Sequence, residues 1–347
     1  MSPPFTMPTS FSTATQIRLI VAPLLFTAIL LPQAYQPFLD ILWRFLLGTS
    51  PYNWSTFETI WTVFLYAAIE VSITVVFMNH PDWRFIRPSP KTSKLSTGSP
   101  SRSRPRGMRR PSRRIGEIAL YITPLLALDL TMIKKFADVD MAAILASGGY
   151  DLRAFDAIDG TTTTSHPPKT FLVPTLHNFT ASSPIQLTRA LPSSPPSSRR
   201  LVLELIASFL IYDCLFFLFH LSLHKLPGLK AFHAKHHAHD AQLNPQVTNQ
   251  LTVVERLGLV LLANFSLNII GSHVLTRTVF VPVFVWLLVE IHCGMDIPWG
   301  YEKVLPHGWG GGARKHMRHH NVGEKGFEPF FSWWDGVWEW AISGWIW

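Results

Sequence analysis

Nine histidines between His220 and His320 are spaced in a pattern that suits metal binding. They occur as His220-x-x-x-His224, His233-x-x-His236-His237, a lone His292, and His316-x-x-His319-His320. Of the 15 histidines in the chain, 12 lie in this stretch, so they are concentrated rather than scattered. Positions i, i+3 and i+4 share one face of a helix. Each box is therefore expected to present two or three imidazoles to a single point. Neutral imidazole is a ligand for iron, zinc or copper. A tetrahedral zinc takes four ligands, so nine of them predict two metal ions. His239, His273 and His307 lie nearby without box spacing and read as surface or hydrogen-bonded histidines.

The elements that must carry these boxes are apolar. The chain is 48% hydrophobic, only 15% charged and of positive mean hydropathy. Apolar runs fall at 17–32, 57–78, 117–133, 201–219, about 251–275 and 277–291, several of them near the ~20 residues that cross a hydrocarbon core. The first run reads as a retained anchor, since no small-residue cleavage site precedes Pro32-Gln33. Pro124 is expected to kink the third run, and Asp129 within it needs a polar neighbour. The runs around 251–291 read as a helical hairpin that turns near Gly271-Ser-His and Arg277.

The net charge of +8 is local. Residues 79–116 hold eleven Lys and Arg against one acid, Asp82, which leaves the rest of the chain slightly acidic. A nucleic-acid-binding surface is thereby excluded. This Ser- and Pro-rich linker is expected to be disordered and, by the positive-inside rule, cytosolic. The loops 33–56 and 134–200 then face the lumen, and both contain glycosylation sequons, at Asn53 and Asn178. Asn264 heads a third sequon, inside an apolar run where glycosylation cannot reach it. With 201–219 returning inward, all nine histidines reach the cytosolic side. The four segments are thus membrane anchors (1–78), a basic linker (79–116), a membrane segment with a flexible lumenal loop (117–200) and a catalytic domain (201–347). Two cysteines, Cys214 and Cys293, form no disulfide framework and suit a reducing setting.

The order of the boxes resembles the fatty acid hydroxylase/sterol desaturase superfamily. Glu290-Ile-His292-Cys-Gly-Met-Asp296-Ile-Pro-Trp299 is similar to its H-[SC]-G-Y-D-x-P-W segment, with Met295 in place of the usual tyrosine. Leu305-Pro-His-Gly-Trp309-Gly-Gly-Gly, the last box and Phe330-Phe-Ser-Trp-Trp334-Asp335 are similar to the cholesterol 25-hydroxylase-like members. The resemblance covers about 200–347. It implies an all-α integral membrane helical bundle with a cytosolic cap of histidine boxes, seated in the endoplasmic reticulum. It further implies two Fe ions on the nine histidines, and O2-dependent hydroxylation of a sterol, terpenoid or other lipophilic substrate. The alternatives are a sphingoid-base or fatty-acyl hydroxylase, a sterol desaturase, and a non-catalytic metal-binding membrane protein.

Asp240, Glu255, Glu290 and Asp296 are candidate partners for the outer N–H groups of the ligands. Asp296 carries the catalytic assignment because it lies in the matching segment. Residues Trp333 to Asp335 are expected beside the last box, and the tryptophans after 337 in an interfacial aromatic belt. No G-x-G-x-x-G opens a helix, and His80-Pro81-Asp82 does not continue as the H-P-G-G of a cytochrome b5 domain. The resemblance thus implies electrons from cytochrome b5 and its reductase, with the basic linker as a surface for that acidic protein or for anionic membrane lipids.

Overall fold

The computed structural model describes residues 11–86, 115–149, 175–177, 185–239, 243–323 and 325–343. Residues 87–114 of the linker, Asn178, Asp240, Trp345 and Trp347 lie outside the described residues. Twelve helices are described: α1 (Thr13–Leu30), α2 (Pro32–Gly48), α3 (Phe57–Asn79), α4 (Ile115–Thr131), α5 (Met141–Ser147), α6 (Ser198–Lys225), α7 (Pro227–His233), α8 (Val253–Ile269), α9 (Val274–His292), α10 (Tyr301–Val304), α11 (Gly312–Val322) and α12 (Trp334–Ser343). A two-stranded antiparallel sheet, β1 (Met132–Lys134) with β2 (Thr175–His177), is the one departure from an all-helical fold among them.

Four helices, α1, α3, α6 and α9, are long and apolar enough to cross a membrane. Their contacts define two opposite faces. Arg18, early in α1, donates to the carbonyls of Lys303, Val304 and Leu305 on the face that holds the histidines. The far end of α1 accepts from Ser198 Oγ and Arg199 Nε at the start of α6. From there α6 runs back for 28 residues, about 42 Å at helical rise. That exceeds a ~30 Å hydrocarbon core, so the last turns, with His220 and His224, project beyond it. The expected hairpin is present: α8 descends from the histidine face, turns at Gly271 and Ser272, and α9 climbs back to end at His292.

Two cores follow from this layout. One joins α3, α6, α9 and the C-terminal segment through Ile73, Phe77, Tyr212, Phe280, Phe284, Val289 and Phe330. It runs across the division between anchors and catalytic domain drawn from the sequence, and α3 packs along α9 as a wall of the bundle. The other lies on the opposite face and joins α2 to β1 and the start of α9 through Leu39, Trp43, Tyr52, Ile133 and Val274. Here the expected loop 33–56 holds a helix, α2. Two prolines and a polar stripe broke its apolar run, yet the buried positions Leu39 and Trp43 lie one turn apart.

Charge on the opposite face is paired. Glu58 meets Arg277 at 3.0 Å, and Arg189 and Lys134 at 3.4 Å each. Asp129 has its polar neighbour in Lys134, at 2.8 Å. Removing one member of such a buried set costs about 3–5 kcal/mol, because the remaining charge is left uncompensated. Asn264 is part of it: its Oδ1 accepts from Arg277 and its amide donates to the Val260 carbonyl. Asn53 donates its side-chain amide to the carbonyls of Leu47 and Thr49, so a glycan there requires both bonds to be given up.

Candidate metal centre

The nine box histidines converge, and no other described His, Cys, Asp or Glu joins them. They form two groups: His220, His224, His233, His237 and His319 in one, His236, His292, His316 and His320 in the other, with the ligand atoms of each within 4.8 Å of one another. This corrects the expectation that each box serves a single point. On α11, a 100° step per residue puts His319 and His320 on different sides of His316. His316 and His320 therefore face one group and His319 the other. The box 233–237 divides likewise, with His236 parting from His233 and His237. His292, alone in sequence, completes the four-histidine group. The groups share a wall in which the His237 ring stacks on His320, with centroids 4.5 Å apart.

The outer nitrogens decide what the inner ones can do. His220 Nδ1 lies 2.8 Å from the Phe327 carbonyl, His292 Nδ1 2.7 Å from that of Leu288 and His319 Nδ1 2.9 Å from that of Lys325. His233 Nδ1 lies 2.6 Å from Glu255 Oε1. A carbonyl or carboxylate only accepts, so each Nδ1 carries the proton and each Nε2 presents a bare lone pair. Yet the Nε2 atoms of His220 and His233 face each other at 3.0 Å, and those of His292 and His316 at 2.9 Å. His319 Nε2 is buried without any hydrogen-bond partner. Two nitrogens about 2.1 Å from one ion at right angles would lie about 3 Å apart. A cation in the five-histidine group would resolve the facing lone pairs of His220 and His233, and one in the four-histidine group would take the converging Nε2 atoms of His236, His292, His316 and His320, so the residues present fit two metal ions.

Protonation is a poor substitute for that cation. Burial and neighbouring imidazoles hold His236, His316 and His320 well below the ordinary histidine range. Burial holds His319 at about 3, despite its bond to the Lys325 carbonyl. The sign for stability follows. Unfolded histidines take protons near about 6.5 while these folded rings stay neutral, so the unfolded state binds more protons in between. The metal-free protein is expected to lose stability as pH falls below about 6.5 and to keep losing it toward about 3. Thermal unfolding midpoints of chelator-treated protein across this range will show it; a midpoint flat from pH ~7.5 to ~5 contradicts it.

The supporting residues come from far apart. Glu255 caps α8: Oε2 accepts from Thr252 N and Oγ1, while Oε1 accepts from His233 Nδ1. The capping-box signature Thr252-x-x-Glu255 ahead of an apolar run marks this helix start in the sequence. Asp335 accepts from the amides of Gly326 and Phe327 and so fixes the short loop whose carbonyls hold His319 and His220. Asp213, wholly buried in α6, accepts from the amides of Phe330 and Phe331 and from Trp334 Nε1. It thereby pins the C-terminal segment against the bundle beside the last box, where residues 333–335 were expected. Asp213 was missed in the sequence, although a lone acid in a spanning run signals a specific partner.

Two expected partners lie elsewhere. Glu290 accepts from Trp286 Nε1 at 2.6 Å and Tyr301 N at 2.7 Å. Asp296, assigned as catalytic from the sequence, is about half exposed and pairs with Lys303 at 2.6 Å and Arg314 at 3.7 Å. It stands on the rim and not among the ligands, because the turn after Gly294 carries the chain away. His273 caps α9 on the opposite face, and His307 is exposed. Glu255→Gln preserves the capping box but removes the charge behind His233. It is expected to weaken metal binding at the five-histidine group about 10–100-fold, read by metal titration; an unchanged affinity rejects this role.

A small apolar cleft ends on the two groups. Phe216, Phe219 and Leu223 of α6, Leu259 of α8, and Leu288 and Ile291 of α9 form its walls. His220 and His233 of one group and His236, His292 and His316 of the other form its end.

Residues 205–339 match the fatty acid hydroxylase family. The sequence is 33% identical to human cholesterol 25-hydroxylase over 148 residues, covering 42% of this chain and 54% of that protein. It is 35% identical to a cholesterol 25-hydroxylase-like protein of Danio rerio, over 40% of this chain and 56% of that one. The chain spans about half the length of the curated relatives it matches. No solved structure matches it.

Proposed function

We propose that the protein is a membrane oxygenase that uses O2 and two Fe ions to hydroxylate an unactivated C–H bond of a sterol or similarly lipophilic compound. The observation that carries this reading is the apolar cleft that ends on imidazoles of both groups. Its walls are mostly apolar, which favours a hydrophobic group over a water-soluble one. An all-imidazole set accepts iron or zinc alike, and zinc has no redox chemistry. Oxidation therefore calls for a redox-active metal, and the similarity to hydroxylases favours iron over copper; when bound it would supply the means to activate O2. The similarity to cholesterol 25-hydroxylases adds sterol as the first substrate class to test.

The chain's own residues hold, orient and exclude. Glu255 and the carbonyls of Leu288, Lys325 and Phe327 fix which nitrogen of each ring faces inward. The aromatic walls keep water from the reacting carbon and aim it at the histidines. Hydroxylation takes one oxygen atom into the product and reduces the other to water, with two electrons and two protons from outside. Cytochrome b5 and its reductase are the proposed source. Lys225, Lys230, Lys235 and Arg318, on the segments that carry the boxes, are exposed and form no ion pair among the described residues. Such exposed cations suit an acidic donor. The endoplasmic reticulum membrane is the proposed setting, with the histidine face toward the cytosol, since the basic linker leaves α3 on that face.

The test is reaction of the purified protein with cholesterol in vesicles under ¹⁸O2, with reductant supplied through cytochrome b5. A product that gains one labelled oxygen is expected. A product lighter by two hydrogens and unlabelled means desaturation, and no product across sterols and long-chain lipids refutes the oxygenase reading.

A further inference from the structure

One lining side chain of the cleft stands at the seam of α6 and α8. Phe219 lines the cleft and is itself only partly buried. Its ring ends on Gly258 of α8: a Cβ built on that glycine would lie 2.6 Å from Phe219 Cζ and 3.1 Å from Cε1. Glycine is unfavourable in the middle of a helix, so its place here has a steric meaning. Any larger residue pushes the ring off its seat. Val254, Gly258, Leu261 and Phe265 recur at helical spacing on the outward stripe of α8, where Val254 is 45% and Leu261 59% exposed. On α6, Leu218 beside Phe219 is 50% exposed. The Phe219–Gly258 contact therefore separates lipid on one side from the cleft and its histidines on the other.

We infer that the Phe219–Gly258 contact is a lateral gate, through which a bilayer-dissolved apolar substrate passes between α6 and α8 to reach the metal centre. This rests on the cleft being the substrate site. A phenyl ring moves by side-chain rotation, and here only a hydrogen-bearing Cα opposes it. A substrate that takes this route stays in an apolar medium throughout. Phe219 precedes the ligand His220, so whatever passes the ring arrives at the imidazoles. The gate sets which shapes enter and leaves the chemistry to the histidines.

The test uses the full-length, metal-loaded protein in phosphatidylcholine vesicles with cholesterol. Gly258→Leu places a branched side chain in the gap. It is expected to raise KM about tenfold with kcat little changed, at unaltered metal content. Adding Phe219→Ala to that variant makes room again and is expected to return KM toward the starting value. A diazirine-bearing cholesterol analogue gives a readout that needs no turnover, and should label the wild-type chain within 216–223 and 254–262. Labelling confined to other helices, with KM unmoved in Gly258→Leu, overturns the gate. Labelling at the seam in a protein that does not oxidise cholesterol supports the gate and rejects the sterol-oxidation reading alone.

Discussion

His236→Ala is expected to remove one metal ion and leave the other, and to abolish turnover. His236 is adjacent in sequence to His237 but belongs to the four-histidine group, where its Nε2 lies 3.2 Å from that of His292. Loss of one ligand in four leaves three, which suffices for weak binding but not for a closed structural site. Bound metal should fall from about two ions per chain to about one. His237→Ala should produce the complementary loss, at the five-histidine group, and a milder one, since four imidazoles remain there. The two variants thus separate the centres by a change of one position. Identical metal loss in both would show that each box serves one ion, and would contradict the division drawn from geometry.

Gly294→Ala is expected to cost about 3 kcal/mol or more of stability, or to prevent folding. Gly294 follows His292-Cys293 with φ of 67°, a left-handed conformation that L side chains rarely adopt. An added Cβ there would also lie 2.2 Å from the Leu243 carbonyl oxygen, a backbone atom with no freedom to swing away. On the other side, the Gly294 carbonyl accepts from Phe85 N at 3.0 Å. Three segments cross at this residue: the strand-like exit of α3, the stretch after the second histidine box, and the end of α9. The substitution should therefore lower both the unfolding temperature and the metal content, read by scanning calorimetry and elemental analysis. A variant with wild-type melting and two metals would show that the crossing tolerates a side chain.

Residue type and spacing carried the clustering of the histidines. All nine histidines named from their pattern stand in the two groups, because an imidazole is recognisable as a ligand without knowledge of the fold. Their partition was not legible. It depends on the phase of α11 and of the turn after α7 relative to α9, a tertiary fact that the i, i+3, i+4 rule does not contain. The helical hairpin over 251–291 could be read because two apolar runs flank a Gly-Ser-His turn. The helix α2 could not, since its burial comes from a single stripe against β1 and the start of α9. Glu255 was nameable as a partner, and the capping box explains why it points as it does. Asp296 misled because membership of a matching segment says nothing about where a carboxylate points, and Lys303 and Arg314 draw it outward. Asp213 signalled a partner as a lone acid in an apolar run, but which one was not legible, since its partners lie 117 and more residues away.

The most direct measurement for a two-ion oxidative centre is the metal content of the full chain purified without oxygen, paired with the X-ray absorption of the bound metal. Two iron ions per chain in an all-nitrogen, imidazole-dominated shell are predicted. A chain that holds no more than one ion, or whose iron shell is built from carboxylate oxygens, would contradict the account.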